Sequence, residues 1–357
     1  MKILYIGGES ANFVIETCNA LCEQGHDVTA VVQITDEYRK IKLHKRLKRI
    51  NVEFNKFYSP IIMKNKLVIE FANNRPDLIF GSHAPVSPIV FELAKQYGIP
   101  WGMMLLDIPE NLLKTERWRM KHWNYWFTLL TQADIMVFNN SIARDLFYHY
   151  TQNWFPDEYH IHYGTNLPES EKMSGIDIED DYVLSICRLH SVKNCKLIPE
   201  ALKYLKSDLK YVAIGRDLGE LEIIKQKCKD YGIDFIYKGI VSEEEKWELI
   251  KNCAMYIYPQ DTEYVAGQAS LEAMWAGKPA LAGNFKILKE LYGKHAYYFN
   301  TKDPESLAKQ IAYVRSLDKT RIIEQLEDAC FHVEDTASYK IMGKKLSDLF
   351  RKVVNKK

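Results

Sequence analysis

The stretch Pro259–Pro279 reads PQDTEYVAGQASLEAMWAGKP and is the most informative segment of this 357-residue chain. It follows a short apolar run, Met255–Tyr258, which is typical of a buried strand, and its second half has the apolar spacing of a helix. Gly267 permits a close approach of the backbone, and the amides after it open the helix. Since a helix amino end carries free N–H groups and a partial positive charge, the segment predicts an anion site, for example for a diphosphate.

Glu272 lies about one and a half turns into the predicted helix. A carboxylate at that place can accept two hydroxyl hydrogen bonds, such as those of the 2′- and 3′-hydroxyls of a ribose. The competing interpretation is an ordinary amphipathic helix that buries Leu271, Met274 and Trp275 and leaves Glu272 in solvent. The combination of strand, loop and helix favours the ligand site.

The rest of the chain alternates short apolar runs with longer amphipathic ones, which predicts an α/β protein with doubly wound parallel sheets. The alternation stops at Tyr163–Asp181, where glycine, proline and an acidic cluster predict a linker. Two closing helices are predicted over Pro304–Leu317 and Ala337–Val354. The predicted strands are Lys2–Ile6, Asp27–Gln33, Asp77–Phe80, Trp101–Leu106, Ile135–Phe138, Tyr182–Ile186, Leu209–Ile214, Asp234–Tyr237, Met255–Tyr258 and Ala280–Ala282.

Two Rossmann-like domains follow from this pattern, an amino-terminal one over residues 1–165 and a carboxyl-terminal one over 166–335. Residues 336–357 are expected to form a helix that returns to the amino-terminal domain. A ligand is expected in a central cleft that faces the carboxyl ends of both sheets.

Composition excludes several classes of protein. The 48 basic and 47 acidic side chains give a net charge of +1, so no bulk attraction to nucleic acid is expected. No apolar run approaches the ~20 residues that span a bilayer, and the chain starts without the pattern of a secretory signal. The seven cysteines are scattered and form no CxxC pair, which argues against a zinc site or a disulfide framework and suits a reducing cytoplasm.

The segment Leu271–Pro279, LEAMWAGKP, closely resembles the donor-site signature of retaining GT-B glycosyltransferases, above all glycosyltransferase family 4. The resemblance implies a GT-B fold, a nucleotide-sugar donor in the carboxyl-terminal half, and a ribose contact for Glu272. An earlier glutamate of the family contacts the donor hexose with seven residues between the two, whereas Glu263 and Glu272 have eight between them. The hexose contact therefore falls to Glu263 through a one-residue bulge, or it is absent.

The segment Cys187–Asn194, CRLHSVKN, resembles the Gly-Arg-Leu…Lys-Gly segment of the same family. The resemblance implies that Arg188 and Lys193 hold the donor diphosphate. Fixed cations there would stabilise the negative charge that grows on the leaving nucleoside diphosphate. The alternative is a solvated Arg and Lys on a surface loop. Cys187 and Asn194 replace family glycines, and asparagine tolerates a positive φ.

Two weaker matches complete the predicted donor site. Ala213–Gly215 resembles the family's Val-Gly-x-Gly segment beside the nucleotide, and Tyr237–Gly239 resembles a Phe-x-Gly segment whose following backbone meets the base. The residues implied in donor binding, besides the catalytic set, are Gly7, Gly8, Gly215, Lys238, Gly267, Gln268, Ala269 and Glu272.

In the amino-terminal half, Gly7-Gly8-Glu9-Ser10 resembles the family's glycine-rich first loop, which faces donor phosphate and acceptor. It is not a GxGxxG motif, so a dinucleotide site has little support. Arg75–His83 resembles a Pro-Asp-x-Ile-x-x-x-His segment, so His83 is either an acceptor contact, with Glu9 and Ser10, or a structural residue. Leu106 stands where many family members have a histidine, which leaves Asp107 as the catalytic candidate on the acceptor side.

Glu116–Phe127, ERWRMKHWNYWF, interleaves basic and aromatic residues at helical spacing, and Arg39–Arg49 adds a second basic run. One hypothesis is peripheral membrane contact near a lipid-linked acceptor. The alternative is a half-buried helix with solvated charges.

The prediction is a cytoplasmic hexosyltransferase that moves a hexose from a UDP- or GDP-sugar to a hydroxyl of a glycan or lipid-linked acceptor, with retention. Its predicted catalytic residues are Arg188, Lys193, Glu263 and Asp107. No HExxH, Cys/His or Asp-x-Asp metal pattern occurs, so neither a metal nor another cofactor is expected. Two alternatives stay open, namely another GT-B enzyme such as a sugar-nucleotide epimerase or a phosphorylase, and a non-catalytic scaffold or binding subunit.

Overall fold

The computed structural model of the protein describes residues 1–8, 11–33, 41–52, 74–106, 117–156, 159–175, 181–205, 208–262 and 267–356, with the backbone alone over 117–121. The chain forms two compact units. The first consists of Met1–Gly164 together with Tyr339–Lys357, and the second of Thr165–Ser338.

A parallel six-stranded sheet forms the centre of the first unit, with strand order β3-β2-β1-β4-β5-β6. Its strands are β1 (Lys2–Gly7), β2 (Asp27–Val32), β3 (Leu47–Asn51), β4 (Leu78–Ser82), β5 (Trp101–Leu105) and β6 (Ile135–Phe138). Its helices are α1 (Ala11–Glu23), α2 (Ser87–Tyr97), α3 (Arg117–Leu130), α4 (Ser141–Thr151) and, from the end of the chain, α12 (Tyr339–Val354).

The second unit is built in the same way, with strand order β12-β11-β10-β7-β8-β9 and parallel pairing throughout the described ladder. Its strands are β7 (Tyr182–Ile186), β8 (Lys210–Ile214), β9 (Phe235–Gly239), β10 (Met255–Tyr258), β11 (Ala280–Gly283) and β12 (Tyr297–Phe299). Its helices are α5 (Leu197–Leu205), α6 (Leu221–Tyr231), α7 (Glu243–Lys251), α8 (Gln268–Trp275), α9 (Lys286–Tyr292), α10 (Pro304–Ser316) and α11 (Lys319–Ala337).

Counted within each unit, both sheets have the order 3-2-1-4-5-6, which is that of a Rossmann-like doubly wound fold. The strand order reverses between β1 and β4 in the first sheet and between β7 and β10 in the second. Ligands of open α/β sheets bind at the carboxyl ends of the strands beside such a reversal. The predicted fold class, two Rossmann-like domains, is confirmed.

The core of the first unit includes the end of the chain. Met342, Leu346 and Phe350 of α12 are buried with the apolar residues of β1 and α1. Gly343 lies so near Ala20 that an added Cβ would be 2.7 Å from the Ala20 Cβ. Because glycine lets the two helix backbones approach, α12 packs closely on α1.

The segment Tyr163–Asp181, predicted as a linker, crosses between the units at Gly164 and Thr165. Further on it is held by hydrogen bonds of the second unit. The N–H groups of Met173 and Gly175 donate to the carbonyls of Trp275 and Ala276, each at 2.8 Å. These bonds satisfy carbonyls at the carboxyl end of α8, which are orphaned in a free helix.

The prediction of the closing helices was incomplete. A 19-residue helix, α11, fills Lys319–Ala337, and Ser338 is extended (φ −77°, ψ 149°) before α12 begins. The buried face of α11 includes small residues, Ala329 and Cys330, which weaken its apolar periodicity in the sequence. Over the described segments, no helix is both long and apolar enough to cross a bilayer.

Candidate functional site

At the carboxyl edge of the second sheet, the loop after β7 carries Arg188. The N–H of Cys187 donates to the Ile214 carbonyl (3.1 Å), and the N–H of Leu189 donates to the Arg216 carbonyl (2.8 Å), so this loop runs beside the loop after β8. Arg188 between them is exposed. Among the described residues, none forms a hydrogen bond or an ion pair with its guanidinium. The cation is therefore available to an anion from solution.

Gly215 makes this close approach of the two loops possible. Its φ is +126°, and a Cβ built on it would lie 2.0 Å from the Cys187 carbonyl oxygen. Its N–H donates to the Gly239 carbonyl (2.7 Å), and its own carbonyl accepts a hydrogen bond from the Tyr237 hydroxyl (2.7 Å). Gly215 thus joins the ends of β7, β8 and β9, where the sequence placed the nucleotide.

Lys193 ends a short 3-10 turn, Ser191–Lys193, that the left-handed Asn194 terminates. The φ of Asn194 is +52°, which agrees with the expectation that asparagine serves here in place of glycine. The Lys193 Nζ donates to the Tyr258 hydroxyl (2.9 Å) and to Gln260 Oε1 (2.6 Å). Gln260 is fully buried, so the ammonium group is fixed at the carboxyl end of β10.

The amino end of α8 contacts Tyr258, the tyrosine that also binds Lys193. Gly267 is the N-cap of α8, and a Cβ built on it would lie 2.8 Å from Cζ of Tyr258. Its carbonyl accepts a hydrogen bond from the Tyr292 hydroxyl (2.8 Å). The amides of Gln268 and Ala269 follow in the first turn, where helix N–H groups have no acceptor within the helix. The structure therefore brings this helix end together with Lys193.

The amphipathic-helix alternative required Glu272 to lie in open solvent, and it does not. Leu271, Met274 and Trp275 are buried, as both interpretations expected. The Glu272 side chain is 12% exposed, and its Oε1 lies 2.7 Å from Nζ of Lys246 on α7. Lys246 carries no signal in the sequence, since the two residues are 26 positions apart and no motif connects them.

The end of β9 carries Lys238, a predicted donor-binding residue. Lys238 is exposed, and its Nζ forms an ion pair with Glu245 of α7 at 2.7 Å. The next residues are Gly239, with φ +68°, and Ile240, which is 72% exposed. This edge therefore presents an apolar side chain after a left-handed glycine, while Lys238 has a partner within the protein.

Asp217 stands where the family has a second glycine. Its Oδ1 accepts hydrogen bonds from the N–H groups of Gly219 (2.9 Å), Glu220 (3.1 Å) and Leu221 (3.1 Å). The carboxylate thus caps the start of α6, and this local role explains why an acidic side chain is tolerated beside the predicted diphosphate site.

The loop after β7 places the Cys187 thiol near two cations and a second thiol. The Cys187 Sγ lies 3.3 Å from the Cys195 Sγ. The hydrogen bond with the Cys195 thiol lowers the pKa of Cys187 against the effect of burial, and the charges of Lys193 and Arg188 lower it further. The cations that stabilise a thiolate here would equally stabilise a bound phosphate.

In the first unit, three predicted residues meet where the strand order reverses. Gly7 ends β1 against Val14, whose Cγ2 would lie 2.2 Å from an added Cβ. The N–H of Gly8 donates to the Ser82 carbonyl (3.2 Å), and a Cβ on Gly8 would lie 3.2 Å from Nδ1 of His83. His83 is fully buried with a φ of +80°, a backbone strain typical of functional loops.

Several predicted residues lie outside the described residues: Glu9, Ser10, Asp107 and Glu263. Leu106, which replaces the family histidine, is buried in the apolar core of the first unit. No imidazole is therefore present at that position.

In the basic and aromatic segment, most of the aromatic side chains that the structure describes are buried. Trp123, Trp126 and Phe127 of α3 are buried in the first unit, and Tyr125 is 53% exposed. Most of these rings therefore serve the core, as the half-buried alternative expected. In the second basic run, Lys48 and Arg49 belong to the edge strand β3, where basic side chains discourage pairing with other chains.

Comparisons with known proteins agree with this architecture. Residues 168–325 match the family model of glycosyl transferases group 1. A sucrose-phosphate synthase from Thermosynechococcus elongatus has a similar structure, with a TM-score of 0.79 at 14% identity, covering 100% of both chains. Anabaena HepE in complex with UDP and glucose has a TM-score of 0.73 at 15% identity, covering 99% of this chain and 100% of that one.

A glycosyltransferase from Rickettsia africae has a TM-score of 0.77 at 16% identity, covering 100% of this chain and 99% of that one. No curated protein matches the sequence. The predicted GT-B fold is confirmed, and the family match and the fold together support a glycosyltransferase enzyme.

Proposed function

We propose that this chain transfers a hexose from a UDP- or GDP-sugar to a hydroxyl of a glycan or lipid-linked acceptor. The proposal is based on the match to glycosyl transferases group 1 and on the GT-B fold. The proposal includes retention at the anomeric carbon and a reaction without metal or other cofactor. One observation supports it most strongly. Lys193 and the amino end of α8 both contact Tyr258, beside the loop that carries Arg188.

The nucleoside diphosphate would bind along this edge of the second unit. Arg188 offers two parallel N–H donors to phosphate oxygens, and Lys193 offers a fixed positive charge. The amides of Gly267, Gln268 and Ala269 add the positive end of the helix dipole. Glu272 accepts hydrogen bonds from the ribose hydroxyls. The base lies near Ile240, whose exposed side chain follows the left-handed Gly239.

Bond breaking at the anomeric carbon leaves negative charge on the diphosphate, and the fixed cations stabilise that charge without reorganising. The departing phosphate oxygen takes the proton of the acceptor hydroxyl, so the step needs no imidazole at Leu106. Glu263 contacts the hexose, while Glu9, Ser10, His83 and Asp107 serve the acceptor. A uridine nucleotide as the donor is supported by Anabaena HepE, whose structures contain UDP and UDP-glucose.

A thermal-shift screen against UDP-, GDP- and ADP-sugars tests donor binding first. A ligand at 100 times its dissociation constant stabilises the folded state by about 2.7 kcal/mol, which shifts the melting temperature measurably. The shift should occur with a UDP- or GDP-sugar and be smaller for Arg188→Ala. Absence of a shift with all three donors, up to millimolar concentration, would refute the donor assignment.

The buried Leu106 favours a second candidate, a GT-B subunit that binds the donor without transferring it. Release of nucleoside diphosphate by the purified chain distinguishes the two, since transfer and hydrolysis both produce it. Free sugar epimers formed without an acceptor would instead indicate an epimerase.

Peripheral contact with the inner face of the cytoplasmic membrane is the remaining part of the proposal. It rests on the exposed rings of Tyr125 and Trp154, with the Arg144 guanidinium 5.5 Å from the Trp154 ring. The purified protein should co-sediment with anionic liposomes at low salt, and Tyr125→Ser/Trp154→Ser should reduce the bound fraction. Failure of the wild-type protein to co-sediment would contradict membrane contact.

A further inference from the structure

The only described cation within ion-pair distance of Glu272 is a buried lysine on a neighbouring helix. We propose that Lys246 is a positioning residue that fixes the Glu272 carboxylate for the ribose hydroxyls of the donor. This inference rests on the proposed function, because it assumes that Glu272 faces a ribose.

Lys246 lies on α7 and is 7% exposed. Its Nζ is 2.7 Å from Oε1 of Glu272 and 3.0 Å from Oε2 of Glu243, one turn earlier on the same helix. A lysine is seldom buried to this degree unless it is paired. Here the ammonium group connects α7 to α8 through Glu272 and pairs with Glu243 within α7.

The pairing determines how Glu272 can meet a ligand. The terminal torsion of a glutamate is broad, so an unheld carboxylate samples many orientations. With Oε1 held by Lys246, the plane of the carboxylate is set, and Oε2 remains an acceptor for a hydroxyl. A diol with two adjacent hydroxyls requires such a fixed plane, and a preset acceptor spares the ordering cost on binding.

Charge acts in the same direction. Glu243, Glu272 and Lys246 together carry a formal charge of −1, and the ammonium group pairs with both carboxylates. Without the ammonium group between them, the two carboxylates would repel each other, and the Glu272 side chain would lose its fixed position. Lys246 therefore holds both the orientation and the position of the Glu272 carboxylate.

The test compares the binding of a ribose nucleotide with that of its 2′,3′-dideoxy analogue, by calorimetric titration. The ligand is UDP or GDP, whichever the wild-type chain binds more tightly. The variants are Glu272→Ala, Lys246→Met and, as a matched control on α7, Lys251→Met. Lys251 pairs with Glu248 (2.6 Å) and Glu171 (3.5 Å), and neither pair involves Glu272.

The wild-type chain should prefer the ribose form by about tenfold or more, and Glu272→Ala should abolish that preference. Lys246→Met should reduce the preference by about fivefold or more and leave the affinity for the dideoxy form unchanged. Lys251→Met should behave as wild type. Should Lys246→Met fail to fold, the double variant Glu243→Gln/Lys246→Met removes the carboxylate repulsion, and the same reduction is expected of it.

The outcomes separate this inference from the proposed function. If Glu272→Ala keeps the ribose preference, the ribose assignment of the proposed function is wrong. If Glu272→Ala loses the preference and Lys246→Met keeps it, the positioning role is wrong while the donor site stands. An equal loss of affinity for both nucleotides in Lys246→Met would show a merely structural role and would also overturn the inference.

Discussion

The ammonium group of Lys193 lies 2.9 Å from the hydroxyl oxygen of Tyr258, and the ring of the same tyrosine packs against the backbone of Gly267. Two segments that are distant in the sequence, the loop after β7 and the start of α8, therefore share one support. Since Gln260 holds the same ammonium group at 2.6 Å, the cation is in place before any ligand arrives. Preorganised charge of this kind is what a departing diphosphate requires.

The first prediction concerns the two cations. Arg188→Ala and Lys193→Ala should each reduce sugar transfer by at least about tenfold, which corresponds to about 1.4 kcal/mol of barrier. The control is Lys225→Ala, which removes a cation paired with Glu222 on the outer face of α6. Steady-state assays of nucleotide release measure the effect, and near-wild-type rates in both variants would remove the diphosphate assignment.

The same variants should differ in stability. Lys193→Ala removes the hydrogen bonds of the ammonium group to the Tyr258 hydroxyl and Gln260 Oε1 and should lower the melting temperature, because a hydrogen bond to a charged group contributes about 1.5–3 kcal/mol. Arg188→Ala removes an exposed side chain and should melt within about 1 °C of wild type. Differential scanning calorimetry measures both, and equal destabilisation would contradict the different environments of the two residues.

The second prediction concerns Gly215. Gly215→Ala would place a methyl group 2.0 Å from the Cys187 carbonyl oxygen and would force the loop of Arg188 away from the end of β8. Donor affinity should fall by about tenfold or more, with a loss of stability. Gly219→Ala is the matched control, since its φ is +102° but no atom lies within 4 Å of the added carbon. If both variants bind donor equally, the close approach of the loops is unimportant.

The third prediction separates the sugar from the nucleotide. If Glu263 contacts the hexose, Glu263→Ala should reduce transfer by about tenfold or more and leave the affinity for the free nucleoside diphosphate unchanged. Glu272→Ala, in contrast, should also weaken the binding of the free nucleoside diphosphate. Titration with the nucleotide, beside assays of transfer, distinguishes these patterns. Unchanged transfer by Glu263→Ala would show that the extra residue before Glu272 has removed the hexose contact.

A fourth prediction concerns acid stability and the buried His26. Its Nε2 lies 2.7 Å from the Ser347 hydroxyl, and burial, with the charges of the chain amino end and Arg351, lowers its pKa to about 4. In the unfolded chain the imidazole titrates near its ordinary pKa of about 6.5. As the pH falls from about 6.5 to about 4, only the unfolded state gains the proton, so the free energy of unfolding decreases.

His26→Gln should therefore lose less stability than wild type between pH 7 and pH 5, by about 2 °C or more in melting temperature. The control His149→Gln, which alters an exposed histidine, should keep the wild-type loss. A His26→Gln variant that loses as much stability as wild type would show that His26 does not titrate in this range.

The strands with the strongest apolar runs could be predicted closely from the sequence. β6, β7 and β10 have the predicted bounds, and the predicted helix after Gly267 begins at Gln268. Each is a short buried run next to a turn signal, so local information suffices. α11 was missed because its buried face includes small residues, and the edge strand β3 because it lies within a basic run.

The candidate site could be predicted only in part. Arg188, Lys193, Gly215 and Gly267 carry local signals, namely cations and glycines at strand ends. The residues that hold the site in place carry no such local signal. Gln260 and Lys246 contact their partners across 67 and 26 residues, through tertiary packing alone. Lys238 has the residue type expected at its position, yet its ion pair with Glu245 depends on how α7 follows β9.

Calorimetric titration of UDP and GDP onto the wild-type chain and Arg188→Ala tests the central claim most directly. The claim is that the carboxyl edge of the second sheet holds a nucleoside diphosphate through the loop after β7. One of the two nucleotides should bind the wild-type chain with a submillimolar dissociation constant and bind Arg188→Ala at least about tenfold more weakly. Binding of neither nucleotide to the wild-type chain, or equal binding to both proteins, would contradict the claim.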